Sequence, residues 1–478
     1  NWGDAVGVSG RFAGGVTGAA WRGGAGTAVV GTNTMEIRGG RVAAVASIGE
    51  IYDGPAISVQ NGPGEIRGVL NGSDVVLQAN NDITVTSLIN SINVAANGRT
   101  LTLQAGRSID ILSDISMGFG SLSLIENDPG EIAINPGSGK ADIILRTGQT
   151  ISTGTGFGSV MMQLLNGGAI GSVILEAGAS IAPTDGLVSI TTDPGGTITL
   201  NPGATITTGA DVTLIADTID LPAGVPIDAD TTLGLPNTVL LAPATVGGSV
   251  ALVATASGGS GATLELEVGD LQAINLDSAA NDGILVVGNA NTGDITVVDD
   301  FTPAGGGNTK DRVRFVSGSG SLNIDGVLDG TGLSGANNGH SLEADIARDI
   351  TIGATGSVDT GAANGLFQFG QDDAGASFSV GDSAIISPSF TVSGGAGVDA
   401  LIGSSLADIY TFNAANGGTF DNANTSVLAF NDIENANAGG GNDQFVIQTG
   451  GSLTGFIDGG AGDDHLDYSA LTSAINAT

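Results

Sequence analysis

Three nine-residue segments of one composition lie near the C-terminal end: GGAGVDALI at 394–402, AGGGNDQFV at 438–446 and GGAGDDHLD at 459–467. Each fits G-G-x-G-x-D-x-U-x, where U is a large apolar residue, the second copy imperfectly. Gly394, Gly395, Gly397, Gly439, Gly441, Gly459, Gly460 and Gly462 permit tight turns with positive φ and exposed carbonyls. Asp399, Asp443 and Asp464 add a carboxylate at position six, and Leu401, Phe445 or Leu466 anchors a short strand two residues later. Carboxylate and carbonyl oxygens are the donors that a hard cation takes, so the chemistry is calcium binding in a parallel β-roll. The plain alternative is a set of Gly-Asp turns between strands.

Spacing decides which carboxylates meet. One turn of a roll takes two nonapeptides, about 18 residues, so turns nine apart lie on opposite edges. The segment after the first copy, GSSLADIYT at 403–411, keeps Asp408 but has Leu406 where a glycine belongs. Asp399 and Asp408 are therefore not expected to share an ion. Asp443 and Asp464 are close to one turn apart in a slightly larger coil, and are expected to face the same ion. These segments resemble the calcium-binding repeats of RTX exoproteins, over about the last fifth of the chain. The resemblance implies export from a Gram-negative-type cell into calcium-rich medium. The chain departs from that family in having interrupted rather than continuous nonapeptides.

The elements that must hold such turns are short strands. Val, Ile, Leu and Thr alternate with Gly, Asn, Asp and Pro, and helical periodicity is scarce. Several segments repeat one another: VVLQANNDITV from Val75, LTLQAGRSIDI from Leu101, IILRTGQTIST from Ile143, VILEAGASIAP from Val173 and VTLIADTIDLP from Val212. Taking Leu77, Leu103, Leu124, Leu145, Leu175, Ile190 and Leu214 as equivalent gives a mean step of about 23 residues, one coil of a solenoid. Asp128-Pro129-Gly130, Asn135-Pro136-Gly137, Asp193-Pro194-Gly195 and Asn201-Pro202-Gly203 are turn formers for its corners. The expected fold is all-β, a right-handed parallel β-helix ending in a β-roll-like calcium-binding segment. At that step the chain makes on the order of 20 coils, a rod of roughly 100 Å. The expected parts are a Gly/Ala-rich segment at 1–70 forming further coils, the β-helix at 70–390 and the roll at 391–478. The stretch 70–390 is similar to the β-helix of filamentous-haemagglutinin-type exoproteins through its L-Q-A-G/N and T-I-T strand pairs. That resemblance implies secretion and a role in adhesion or surface fibres.

Composition narrows the partners. The 478 residues carry 13 Lys and Arg against 49 Asp and Glu, a formal charge of −36, yet only 13% are charged. The acidic residues are thus dispersed through an apolar chain, unlike a disordered acidic tail. Binding nucleic acid needs clustered cations, which are lacking. There is no cysteine, so no disulfide or thiol chemistry, a usage common in exported bacterial surface proteins. No run is apolar and long enough to span a membrane. The chain starts at Asn1 and reads as a piece of something longer.

Some β-helices cleave polysaccharides with carboxylates on adjacent coils. Asp299-Asp300 and Gly339-His340-Ser341 supply two of the four motifs of the polygalacturonase type; the N-x-D before and the R-x-K after are missing, with Lys310 too early and Arg348 lacking a basic partner. His340 and His465 read as solvated rather than metal-binding, since neither has a second His or Cys nearby. Asp299-Asp300 and Asp372-Asp373 read as exposed corners. The expectation is therefore a non-enzymatic, secreted, extracellular or cell-surface structural protein stiffened by calcium, as a fibre subunit or a segment of a giant exoprotein. Open strand edges at the solenoid ends make a homo-oligomer or head-to-tail polymer the expected partner. The rival is an adhesin module binding a glycan or cell-surface protein on a lateral face, for which Tyr52, Phe367, Phe369 and Tyr410 are the candidate aromatics. A polysaccharide hydrolase or lyase stands third.

Overall fold

The computed structural model describes the strands Ala28–Thr32, Thr34–Ile37 and Ser58–Asn61, and residues 74–472 apart from 80–81, 91–97, 127–140, 155–157, 166–169, 223, 225, 230–236, 257, 277–282, 304–309, 334–338, 362–363, 372–374, 383, 387–389 and 423–426. The chain divides into two compact units, 1–239 and 240–478. Trp2, Trp21, Arg38, Arg41, Tyr52, the turns at 128–130 and 135–137, and Asp372-Asp373 fall outside the described residues.

In the N-terminal unit each coil contributes up to three strands, one to each of three parallel ladders. One coil reads Val160–Leu164, Ser172–Leu175, Ser180–Pro183, and the next reads Val188–Thr191, Thr197–Leu200, Thr205–Thr207. They pair in parallel, Met162 opposite Ile190, Leu175 opposite Leu200 and Ile181 opposite Ile206. Side chains alternate in and out, as the period of two requires. The third face is the most regular. Ile89, Ile115, Ile151, Ile181, Ile206 and Ile227 occupy one inward position in six successive coils, all fully buried. A β-branched side chain restricted at χ1 stacks on its copy in the next coil without rotamer conflict.

The repeat assigned from sequence mixes two faces. Leu77, Leu103, Leu124, Met162, Ile190 and Leu214 form the first-face column, with steps of 26, 21, 38, 28 and 24 residues. Leu145 and Leu175 belong to the second face, in the column Val85, Ile111, Leu145, Leu175, Leu200. The two corners use the same strand-turn-strand wording, so local similarity cannot tell one from the other. The strands Ala28–Thr32 and Thr34–Ile37 pair in parallel with Val75–Ala79 and Asp82–Val85, extending the ladders into the N-terminal segment.

The C-terminal unit repeats the scheme with larger core residues. Phe315, Ala344, Phe367, Val392 and Phe430 stack on its first face, and Phe301, Leu328, Val358 and Ile386 on its third. A six-residue helix, Val268–Ala273, follows the strand Leu264–Glu267. Beyond 391 two parallel ladders alternate along the chain. One holds Ala400–Ile402, Asn435–Asn437 and Ile457–Asp458; the other holds Asp408–Ala414, Gln444–Ile447 and His465–Asp467. A third strand pair, Phe390–Ser393 with Leu428–Asn431, is joined to the second ladder by the antiparallel strand Gly417–Asn422. Tyr410 on that ladder packs against Phe412, Phe420 and Phe445 and donates its hydroxyl to the Asn437 carbonyl at 3.0 Å.

Candidate metal centre

An aspartate just before or at the start of a strand recurs through the coils, because the first N–H of a ladder has no partner in the turn before it. Asp74, Asp114, Asp142, Asp211, Asp294 and Asp349 each accept from a backbone N–H of the following coil, at 2.7 to 2.9 Å. The three nonapeptide aspartates do the same task in the other direction. Asp399 accepts from the N–H of Ala376 at 2.8 Å, Asp443 from that of Asp408 at 2.7 Å, and Asp464 from that of Asp443 at 3.1 Å, each reaching back one coil.

The second and third copies stack turn on turn. Position-two glycines Gly439 and Gly460 have φ of 78° and 77°, and position-four glycines Gly441 and Gly462 have 113° and 147°. Gly440 and Ala461 form a parallel bridge, with the Gly441 N–H donating to the Ala461 carbonyl at 2.8 Å and the Ala461 N–H to the Gly439 carbonyl at 3.1 Å. The approach is so close that a Cβ on Gly460 or Gly462 would run into the Gly439 or Gly441 carbonyl oxygen. Glycine is needed here both for φ and for room.

The degenerate segment lies beneath them. The Gly440 N–H donates to the Ser404 carbonyl at 3.0 Å, so the turns 403–408, 438–443 and 459–464 form one pile. Asp408, Asp443 and Asp464 therefore stand in a column on one edge. Asp399 precedes the strand Ala400–Ile402 on a different ladder, and Gly394 and Gly395 keep φ outside the positive region. Asp443 and Asp464 thus come together as their spacing suggests, and Asp399 is separate from them. Asp408, set aside in the sequence for its Leu406 neighbour, joins the column. Its signal was the aspartate at position six.

The column is electrically unbalanced. Asp408 and Asp443 are each 1% exposed. Burial, assisted by the Asp443 charge, pushes the Asp408 carboxyl up to about 6. Burial and then the neighbouring Asp464 raise Asp443 as well. One Asp443 oxygen, Oδ2, is buried with no hydrogen-bond partner. No Lys or Arg follows Arg348, so 15 acidic residues in 349–478 face only His465 as a local base. Among the described residues no three His, Cys, Asp or Glu side chains converge on one point. A cation here would draw on paired carboxylates and turn carbonyls, an all-oxygen donor set suited to calcium. The orphaned, buried Asp443 Oδ2 fits such an ion, because an unsatisfied carboxylate oxygen costs several kcal/mol that coordination would offset.

Family models, curated proteins and solved structures give no match to this chain.

The other sequence candidates serve the coil. Asp299 accepts from the Ala254 N–H at 2.7 Å and Asp300 from the Val327 N–H at 2.9 Å, at the corner between the second and third faces. His340 opens a first-face strand, so Asp299-Asp300 and His340 do not come together. Phe367, Phe369 and Tyr410 are fully buried core residues and offer no lateral platform. Among the described residues, four arginines are spent on acidic side chains of neighbouring coils. Arg146 grips Asp110 with two nitrogens and Glu176 with a third, Arg107 pairs with Asp82, and Arg312 and Arg314 pair with Glu343 and Asp345. Among the described residues no helix is long and apolar enough to cross a membrane.

Proposed function

We propose that the chain is an extracellular structural protein, a calcium-stabilised parallel β-helix acting in a surface fibre or as a segment of a giant exoprotein. The observation that carries this reading is the stacked pile of glycine turns bearing Asp408, Asp443 and Asp464, in a region with no lysine or arginine. Stacking is what a load-bearing coil needs, and stacking there brings like charges together. Calcium outside the cell supplies the missing positive charge. Asp443, Asp464 and carbonyls of the turns 438–443 and 459–464 would hold it, with Asp408 next in order. The protein's own contribution is rigidity: three ladders of parallel hydrogen bonds around stacked apolar columns.

Thermal melting in millimolar calcium and in chelator, on the native chain and on Asp443→Asn, tests this. An asparagine oxygen still accepts from the Asp408 N–H while the buried charge disappears. The expected result is a native chain that melts several degrees higher with calcium, and a variant that gains little from calcium yet is no less stable than the native chain in chelator. Equal melting of the native chain in both media would sink the calcium reading.

A further inference from the structure

Two of the stacked aspartates are equally buried but differ in what holds their oxygens. Asp443 takes the Asp408 N–H on Oδ1 at 2.7 Å and leaves Oδ2 with no hydrogen-bond partner. Asp408 has both oxygens filled from its own turn. The Ser404 N–H donates to Oδ2 at 2.8 Å and the Ser404 hydroxyl to Oδ1 at 3.1 Å. That hydroxyl oxygen accepts in turn from the Leu406 N–H at 3.1 Å, which fixes its orientation. The Asn422 side chain adds a hydrogen bond to the same carboxylate.

One position in the turn accounts for the contrast. Ser404 holds the second place of 403–408, where the turns stacked on it carry Gly439 and Gly460. Those glycines have positive φ and no side chain to donate, whereas Ser404 is not among the described non-glycine residues with positive φ. A buried carboxylate oxygen needs either a donor or a cation. Serine supplies the donor to Asp408, and glycine leaves Asp443 to the cation. We propose that Ser404 sets the limit of the calcium site: by filling Asp408 from within its own turn, it keeps that carboxylate out of coordination and confines the ion to Asp443, Asp464 and the turn carbonyls. The inference rests on the calcium reading above. Because each added anionic ligand tightens a calcium site, Ser404 also holds the affinity below what three carboxylates would give.

Calorimetric titration of the full chain with calcium tests this on the native protein, Asp408→Asn, Ser404→Ala and the double variant. Asp408→Asn alone is expected to bind as the native chain does, within about twofold, since Asp408 is not a ligand there. Ser404→Ala gives Asp408 the state of Asp443, one oxygen on a backbone N–H and the other open, and should bind calcium about tenfold tighter. The double variant should lose that gain, a coupling that a merely structural serine would not produce. Circular dichroism in chelator shows whether each variant is folded; Ser404→Gly, which installs the residue of the other two turns, replaces the alanine variant if that one is not. Unchanged or weaker binding by the Ser404 variant would overturn the proposal, as would an Asp408→Asn chain that loses as much affinity as Asp443→Asn. A native chain with no calcium heat removes the calcium reading and this inference together, whereas a native chain that binds through Asp408 removes the inference alone.

Discussion

Two buried ionisable side chains, Glu126 in the N-terminal unit and Lys310 in the C-terminal one, respond to pH in opposite directions. Glu126 sits in the ladder position between Ala105 and Leu164, fully buried, with neither carboxyl oxygen hydrogen-bonded. Burial first, then the charges of Asp193, Asp142 and Asp82, push it up to about 9. The folded chain therefore keeps a proton that the unfolded chain releases above the ordinary carboxylate range. Its stabilising effect is complete at acid pH and is lost as pH rises toward 9, by up to roughly 1.4 kcal/mol per pH unit. Glu126→Gln should flatten that slope and raise the melting temperature at pH 8–9, which melting at pH 5 and 9 checks. Lys310 behaves conversely: burial lowers it to about 7, and its Nζ donates to the carbonyls of Gln272 at 3.2 Å and Pro303 at 3.3 Å. Two acceptors suit the two hydrogens of a neutral amine. Here the unfolded chain binds the extra proton between about 7 and the ordinary lysine range, so stability rises with pH across that window. Lys310→Met should abolish the rise and cost about 1–3 kcal/mol for the orphaned carbonyls, read from denaturant melts at pH 7 and 9.5.

At the scale of the element, glycine divides into turns that need only φ and turns that also need space. Gly148 has φ of 69° with open space where a Cβ would stand, whereas Gly462 has φ of 147° and the Gly441 carbonyl in that space. Gly148→Ala is expected to cost about 1 kcal/mol. Gly462→Ala should unstack the last turn, seen as lost protection of 459–467 in hydrogen exchange and weaker calcium binding. The isoleucine column makes a further test of packing. Ile151→Ala, flanked above and below by Ile181 and Ile115, should cost about 2–5 kcal/mol by denaturant unfolding, since neighbours locked into ladders cannot collapse into the gap. Such columns were legible in the wording of the strands, but not their assignment. Leu145 reads like Leu103 because both precede a corner of the same type, and only pairing shows that they lie on different faces.

For the molecule as a whole, two compact units imply two unfolding events when each is stable alone. Calcium is expected to shift only the C-terminal one, so exchange in chelator should rise across 403–467 while 172–215 keeps its protection. A uniform response would place the ion elsewhere. The all-β class, the solenoid repeat and the pairing of Asp443 with Asp464 follow from the sequence itself, because period-two alternation, Gly-Asn-Asp corners and a spacing near one coil are local properties of the chain. Tertiary structure alone decided that Asp408 joins that pair and Asp399 does not, that Phe367, Phe369 and Tyr410 are core, and that Glu126 points inward. The reason is that a coil brings together residues 14 to 48 positions apart, with insertions of unequal length between them. Which face a residue shares is then set by the register of hydrogen-bonded ladders, and no local pattern carries that register.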